Sequence, residues 1–362
     1  MDTDRILRAS MVTLLMGITT PLEAQNAARI IPTNQAVLTG YGTVGYFTAT
    51  EGPRANAFTV SVSPVFLYQF LDRFLFEVEL EFSLTEGVTE TGLEYGQLDF
   101  FLNDNLTLVG GKFLVPFGIF GERLHPTWIN RFATSPPIYG HHLSKFGADP
   151  IFPILADVGI MARAAMAPGP WQLGLSAYAT QGPTGDAGQL PDVPELDFLG
   201  SSQDNNQDKM LGARLDVALP PQAEISGSYL NGDWDGNGVL DLTAWNLAAE
   251  FRLGGAEWRG EFIRTSQEYE TLTAIETLTR TGFYGQVSRP LGPVEPVLRW
   301  TQIFDNRVAG VAQAATGARQ LGLGLNYWFG PSIVLMAGYE RNRENGTESQ
   351  NDRLVTHVAF GF

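Results

Sequence analysis

Hydrophobic and polar positions alternate strictly along many short segments of this chain. In residues 73–84 every even position is apolar, whereas the odd positions include Glu77, Glu79 and Glu81. Successive side chains of a β-strand point to opposite faces, so this pattern predicts a strand with one apolar and one wet face. The same alternation returns at 241–253 and 321–329. The chain is therefore predicted to be rich in strands that have one apolar face and one face in contact with water.

Sixteen such strands are predicted in all. Their approximate bounds are 36–49, 57–70, 73–85, 93–103, 105–115, 156–167, 171–181, 208–219, 222–232, 241–253, 256–267, 281–290, 294–304, 317–329, 332–342 and 353–362. The connections alternate between tight turns and longer polar loops, the latter including 183–207, 268–280, 305–316 and 343–352. Short turns at one rim and long loops at the other are typical of a transmembrane antiparallel β-barrel, and an even strand number returns both termini to the same rim.

The two ends of the chain agree with export and membrane insertion. Arg5 and Arg8 precede an apolar run of about ten residues, too short for a membrane helix, and Pro21 follows it. This layout predicts a signal peptide at residues 1–24 and a barrel at residues 25–362. At the other end, the alternating residues finish on Phe362. That ending resembles the terminal strand of Gram-negative outer-membrane proteins, which implies recognition by the barrel-assembly machinery and a location in the bacterial outer membrane, in contact with lipid and lipopolysaccharide.

Composition narrows the function classes. The chain has no cysteine, which excludes a disulfide scaffold, a thiolate zinc site and a thiol enzyme. Its formal charge is −16, and a phosphate backbone needs clustered basic residues, so nucleic acid is not expected as a partner. No cofactor is expected from the composition.

The third long loop, residues 116–155, is much the longest, and long loops in compact folds are usually functional. The residues that enter it are Gly111-Lys112-Phe113-Leu114-Val115-Pro116-Phe117-Gly118, followed by Glu122-Arg123-Leu124-His125-Pro126 and Trp128. This segment resembles the start of the third loop in the phosphate-selective porin O and P type family. The resemblance implies a loop that folds into the barrel and narrows it. Likeness to porins in general also implies a homotrimer.

The charges of this segment favour anions if it lies in the lumen. Lys112, Arg123, Arg131 and Lys145 oppose a single acid, Glu122, which gives +3. Three of the four histidines also fall here, at His125, His141 and His142. A charged ring in a narrow pore concentrates counter-ions. The other interpretation, that these charges are solvated on an outer loop surface, remains open.

The predicted wall is more mixed than the loop. The polar faces of the strands carry five arginines and eight acids. The arginines are Arg163, Arg214, Arg252, Arg259 and Arg299, and the acids are Glu77, Glu79, Glu81, Asp99, Asp157, Asp216, Glu250 and Glu261. A mixed wall suits a general diffusion pore, and the Glu77, Glu79 and Glu81 run favours cations. The pore residues we select are Lys112, Arg123, His125, Arg131, Lys145, Arg163, Arg214, Arg299, Glu77, Glu79 and Glu81.

Two motifs suggest other chemistry. The run Asp233, Asp235 and Asn237, with Asp241 beyond, has the alternate oxygen ligands of a calcium loop, but Ala244 stands where a bidentate acid is needed. A calcium site therefore competes with an Asp/Asn/Gly hairpin turn. Residues 40–45 match the dinucleotide pattern G-x-G-x-x-G, but they lie inside a predicted strand and no helix follows.

The sequence thus predicts an outer-membrane porin, a passive channel for small hydrophilic solutes, either anionic or neutral, and not an enzyme. Two alternatives remain: a non-conducting structural or adhesive barrel plugged by the same loop, and a barrel enzyme that acts on lipid. No G-x-S-x-G motif supports the enzyme.

Overall fold

The structure is a computed structural model that describes residues 34–49, 56–85, 88–140, 147–153, 155–185, 196–198, 200, 204–219 and 222–362. The predicted signal peptide at 1–24 lies outside the described residues, and so do His141, His142 and Lys145. Within the described ranges, no helix is long and apolar enough to cross a membrane.

Sixteen antiparallel strands form one closed barrel. In chain order they are β1 Gln35–Ala49, β2 Asn56–Phe70, β3 Phe74–Thr85, β4 Val88–Asn103, β5 Leu106–Leu114, β6 Ala156–Met166, β7 Gln172–Thr180, β8 Met210–Leu219, β9 Ala223–Asp233, β10 Asp241–Leu253, β11 Ala256–Glu270, β12 Ile275–Ser288, β13 Val294–Ile303, β14 Ala318–Gly330, β15 Ile333–Glu344 and β16 Arg353–Gly361. Each strand pairs with its neighbours in sequence, and β1 pairs with both β2 and β16. The backbone of Phe362 also exchanges hydrogen bonds with Gly40, which extends the closing seam.

The predicted strand number, order and direction are confirmed. The largest differences in strand bounds lie at the long-loop rim, where β4 begins at Val88 instead of 93 and the predicted loop 268–280 shrinks to 271–274 between β11 and β12. At this rim the strands extend beyond the segments in which apolar and polar residues alternate. The backbone hydrogen bonds between strands therefore continue past the pattern that predicted the strands. The tight Gly254-Gly255 turn has positive φ at both positions, as a two-residue hairpin requires.

The two faces of the wall match the alternation. On β3, the even-numbered side chains such as Phe76, Leu80 and Phe82 are exposed on the outside, whereas Glu79 is buried on the inside. Exposed leucine, phenylalanine and tryptophan side chains recur around the barrel, as expected of a wall that faces lipid. The G-x-G-x-x-G residues lie within β1, with no helix after them.

The described part of the third long loop, residues 115–140, 147–153 and 155, forms the core of the barrel, and we call it the lumen segment. It contains a π-helical turn at Phe120–Leu124, a short helix α1 at Thr127–Asn130, and a parallel pair of two-residue strands at Tyr139–Gly140 and Phe152–Pro153. Its apolar side chains cluster with inward residues of the wall, and Phe120 and Ile138 are fully buried.

Candidate pore and constriction

The lumen segment touches inward side chains on strands all around the barrel. His125 lies 3.1 Å from the Tyr41 hydroxyl of β1, and Arg123 lies 2.6 Å from Glu224 of β9. Across the lumen, Arg131 bonds Glu295 of β13 at 2.6 Å. Contacts with strands so far apart in the barrel require the segment to cross its interior. The segment therefore divides the lumen into two parts with different packing.

One part, which we call the packed side, is the interface between the lumen segment and strands β10 to β15. Its centre is the buried carboxylate of Glu261. This carboxylate accepts hydrogen bonds from the backbone of Ile119 and Phe120, at 2.9 and 3.0 Å, and from the hydroxyls of Tyr139 and Tyr284, at 2.7 and 3.0 Å. A buried carboxylate is costly unless donors surround it. Glu261 projects inward where the loop backbone first enters the lumen, so its carboxylate anchors the lumen segment to β11.

Arg299 forms a second anchor on the packed side. It is fully buried and bonds Glu340 at 3.1 Å and the carbonyl oxygen of Thr134 at 2.6 Å. The ring of Phe132 lies 4.0 Å below its guanidinium group, and the Thr134 hydroxyl donates to Glu340. Arg299 was predicted as a pore residue, but its burial removes it from any water path. Wall spacing alone could not reveal which inward positions the loop would cover.

The other part, which we call the open side, lies between the π-helical turn and strands β3, β6 and β8. Several of its charged side chains are partly exposed: Arg163 retains 32% of its side-chain accessibility, Arg123 21%, Asp216 19% and Glu122 15%. Glu77 and Glu81 of β3 are partly exposed as well. Arg131 on the packed side also keeps 25% of its accessibility, but Arg299, Glu261 and Glu295 are buried there, so we place the candidate water path on the open side.

The basic residues of both sides are paired with acids. On the open side, Arg214 bonds Glu122 at 2.5 Å and Asp216 at 2.9 Å, and Arg163 lies 3.3 Å from Glu122. The predicted positive charge of the loop included Arg123 and Arg131, and the predicted mixed wall included Arg163, Arg214 and Arg299; each of these five arginines has an acidic partner. The partners are Glu122, Asp216, Glu224, Glu295 and Glu340, together with Asp99 and Glu257. Most of them lie on other strands, so only the closed barrel brings them together.

The pKa values of His125 and Glu122, in the region of the π-helical turn, are both lowered. Burial lowers the pKa of His125 to about 4, although its hydrogen bond to the Gly121 carbonyl opposes the change. His125 is therefore neutral at neutral pH and does not add the positive charge that the sequence suggested. Burial alone would raise the pKa of Glu122, but Arg214, Arg163 and Arg123 outweigh it and hold the pKa below its usual value.

Lys112 is a correction to the predicted pore set. It follows Leu108 on the outward face of β5, whereas Val109 and Phe113 face inward and are buried. Its ammonium group donates to the carbonyl oxygen of Leu93 at 2.8 Å. Lys112 therefore lies on the outer surface of the barrel, because the strand period of two assigns even positions of β5 to that face.

Among the predicted acids, Glu79 accepts a hydrogen bond from the Tyr41 hydroxyl at 2.5 Å, which links it to His125. The predicted calcium motif forms a turn in which Asp235 accepts backbone N–H groups of Asn237, Val239 and Leu240 at 3.0, 2.8 and 2.8 Å. Asp241 accepts hydrogen bonds from Asn231 and Thr243. Among the described residues, no group of three or more His, Cys, Asp or Glu side chains is arranged to hold a metal ion.

Comparison with known proteins gives the fold. No protein-family model matches this sequence, and no curated protein matches it. Among solved structures, the barrel is similar to the outer-membrane channel DcaP of Acinetobacter baumannii, with TM-score 0.60 and 12% identity over 91% of this chain and 98% of that one. It is also similar to Salmonella typhi OmpF in complex with daunomycin, with TM-score 0.59 and 12% identity over 91% and 98%.

A third similar structure is a loop-deletion mutant of OmpT, an outer-membrane protein of Vibrio cholerae, with TM-score 0.58 and 8% identity over 91% of this chain and 100% of that one. At these identities the likeness is one of fold. The chain therefore has the sixteen-stranded antiparallel barrel found in outer-membrane channels.

Proposed function

We propose that this protein is an outer-membrane porin, a passive diffusion channel for small hydrophilic solutes. The observation that carries the proposal is a closed sixteen-stranded barrel with an apolar outer wall and an interior where charged side chains keep contact with water. The likeness of this barrel to the channels DcaP and OmpF supports the same function. Passive diffusion needs no catalytic group, and the ionised side chains of the lumen serve as polar lining.

The lumen segment is proposed as the constriction. It crosses the barrel and is held by Glu261 and Arg299 on the packed side, which leaves the open side as the solute path. There the narrow zone is lined by the ion pairs between the π-helical turn and the wall, Arg163 with Glu122 and Arg123 with Asp216. Opposite charges that line a pore orient water and deter apolar solutes.

We propose weak selectivity that favours cations. The resemblance to the phosphate-selective porins pointed to anions, but a phosphate site needs arginines with free donors. The arginines of the open side already bond Glu122, Asp216 and Glu224, and the polar faces of the strands carry eight acids against five arginines. An excess of acids lowers the barrier for cations.

Three further features belong to this proposal. Residues 1–24 would direct export, the exposed aromatic ring of Phe362 would be read by the assembly machinery, and three copies would associate through the apolar outer wall. An OmpT structure described as a trimer shares the fold, which supports the trimer. A plugged, non-conducting barrel is the second candidate, because the apolar side chains of the lumen segment pack against inward residues of strands β5 to β14.

Planar-bilayer recording of the refolded residues 25–362 tests the proposal. We expect discrete open steps and, across a salt gradient, a reversal potential on the cation side. A reversal potential on the anion side would refute the proposed selectivity and restore the phosphate hypothesis. A well-folded barrel that yields no steps would refute the channel and favour the plugged barrel.

A further inference from the structure

Exposed arginines cluster on the outer wall at the long-loop rim between β11 and β15, where Glu270 of β11 is an exposed acid. Four exposed arginines lie there: Arg264 on β11, Arg307 in the loop between β13 and β14, Arg319 on β14 and Arg341 on β15. This concentration of positive charge stands out in a chain with a formal charge of −16. It lies outside the lumen, so the proposed diffusion path does not use it.

The height of these arginines on the wall is specific. On β11, Trp258 and Phe262 face outward, and Arg264 is the next residue on that face. On β15, Arg341 follows the outward Tyr339 in the same way, and on β14 Arg319 precedes the outward Leu321 and Leu323. The arginines of the three strands thus occupy the next outward-facing position beyond the apolar belt. This is the depth at which lipid headgroups meet the wall of a barrel.

Two of the four arginines share a cleft of about 500 Å³ on this surface, together with the side chains of Thr279, Thr281 and Phe304. Strand pairing explains the arrangement, since Arg264 lies opposite Thr281 and Arg307 lies opposite Thr279. The two threonines therefore separate the two arginines across neighbouring strands. Such a cleft offers guanidinium and hydroxyl donors to one ligand, with apolar surface beside them.

The charges in the cleft leave donors free. Arg307 donates through Nε to the carbonyl oxygen of Gly310 at 3.0 Å, which holds its guanidinium in place. Within the part of the chain that the structure describes, neither Arg264 nor the terminal nitrogens of Arg307 form an ion pair. The one acid of the cleft, Asp305, accepts hydrogen bonds from the Gly317 backbone at 2.8 Å and from Asn345 at 2.9 Å.

We propose that this cleft binds the phosphate group of a phosphorylated lipid in the outer leaflet, with Arg319 and Arg341 extending the basic surface to further phosphates. Arginine suits phosphate because its planar donors bond two oxygens at once. Threonine hydroxyls complete the headgroup site, and Phe304 with the apolar belt below receives the acyl chains. The proposal rests on the outer-membrane location given under the proposed function.

Binding of diphosphoryl lipid A to the detergent-folded residues 25–362 tests this site. We expect the lipid to raise the melting temperature of the wild-type barrel, and the double variant Arg264→Gln/Arg307→Gln to bind it about tenfold or more weakly, because two charge-assisted contacts are lost. Arg289→Gln removes one exposed arginine at the opposite rim and serves as the matched control that keeps full affinity. Dephosphorylated lipid A should bind wild type no better than the double variant binds diphosphoryl lipid A.

Equal affinity of wild type and the double variant would overturn the proposal, as would equal binding of the dephosphorylated lipid. Binding of inorganic phosphate alone, with displacement of the lipid, would instead assign the cleft to free anions. If the double variant does not fold, Arg264→Lys/Arg307→Lys keeps the charge but loses bidentate bonding, and it should bind more weakly than wild type. Because these residues lie outside the lumen, a folded double variant should conduct like wild type, so a failed lipid site and a failed channel are distinguishable.

Discussion

The packed side and the open side of the lumen both contain arginine–carboxylate pairs, but the pairs differ in burial. Both pair arginines with carboxylates, yet Arg299 and Glu340 are fully buried, whereas Arg163 keeps 32% of its side-chain accessibility beside Glu122. On the packed side the loop backbone and the Phe132 ring complete the shell around the charges. The comparison teaches that the extent of burial, and neither charge nor loop contact, distinguishes Arg299, which supports the structure, from Arg163, which stays accessible.

The largest expected effect comes from removing one arginine on each side. Arg299→Met should lower the free energy of unfolding by about 3 kcal/mol, because it removes one of the two arginines that pair with the buried Glu340 and breaks the bond to the Thr134 carbonyl oxygen. Arg163→Met should cost less than about 1 kcal/mol, since Arg163 is partly exposed and Glu122 keeps its bond to Arg214. Urea titration of both variants in the same detergent measures the difference. Equal losses would mean that the two sides are not distinct.

Removing the Glu261 anchor should release the lumen segment. Glu261→Gln turns a carboxylate that only accepts hydrogen bonds into an amide, and we expect a loss of about 2 to 3 kcal/mol with larger and noisier single-channel steps. Glu270→Gln makes the same change at an exposed position of the same strand and should alter neither property. Unchanged conductance in a folded Glu261→Gln barrel would show that this carboxylate does not hold the constriction.

The buried His125 should make stability depend on pH. Its pKa is lowered from 6.5 to about 4, so the folded barrel resists protonation that the unfolded chain accepts. This contribution is complete above pH 6.5 and is lost as the pH falls toward 4, with a total of about 2 kcal/mol. His125→Gln should remove that part of the pH dependence. A pH profile identical to that of wild type would contradict the assignment.

The smallest expected change in stability, but a clear change in selectivity, comes from charge reversal on the open side. Arg163→Glu places an acid beside Glu122 and Asp99 and should move the permeability ratio a few-fold toward cations. Arg299→Glu is too deeply buried to serve as its partner experiment, so Arg289→Glu at the short-turn rim is the control. A reversal potential that stays fixed in Arg163→Glu would remove Arg163 from the path.

Much of the fold follows from alternation, because a barrel in lipid must present an apolar side chain at every second position. The sixteen strands and the position of the third long loop were predicted in this way. Lys112 was assigned to the pore because it was counted among the basic residues of the loop segment, although the same alternation assigns it to the outer face. The ion pairs could not be predicted, since Arg131 and Glu295 are 164 residues apart in sequence. The anchoring role of Glu261 likewise depends on loop backbone groups that carry no sequence signal.

The central claim, that solutes pass along the open side and not the packed side, is tested most directly by cysteine accessibility, since the chain has no native cysteine. Arg163→Cys probes the open side and Thr301→Cys, at a fully buried inward position, probes the packed side. The variants are treated with a charged thiosulfonate reagent during bilayer recording. We expect rapid modification and reduced conductance for Arg163→Cys, and no reaction for Thr301→Cys. Modification and block of Thr301→Cys, with Arg163→Cys unaffected, would contradict the account.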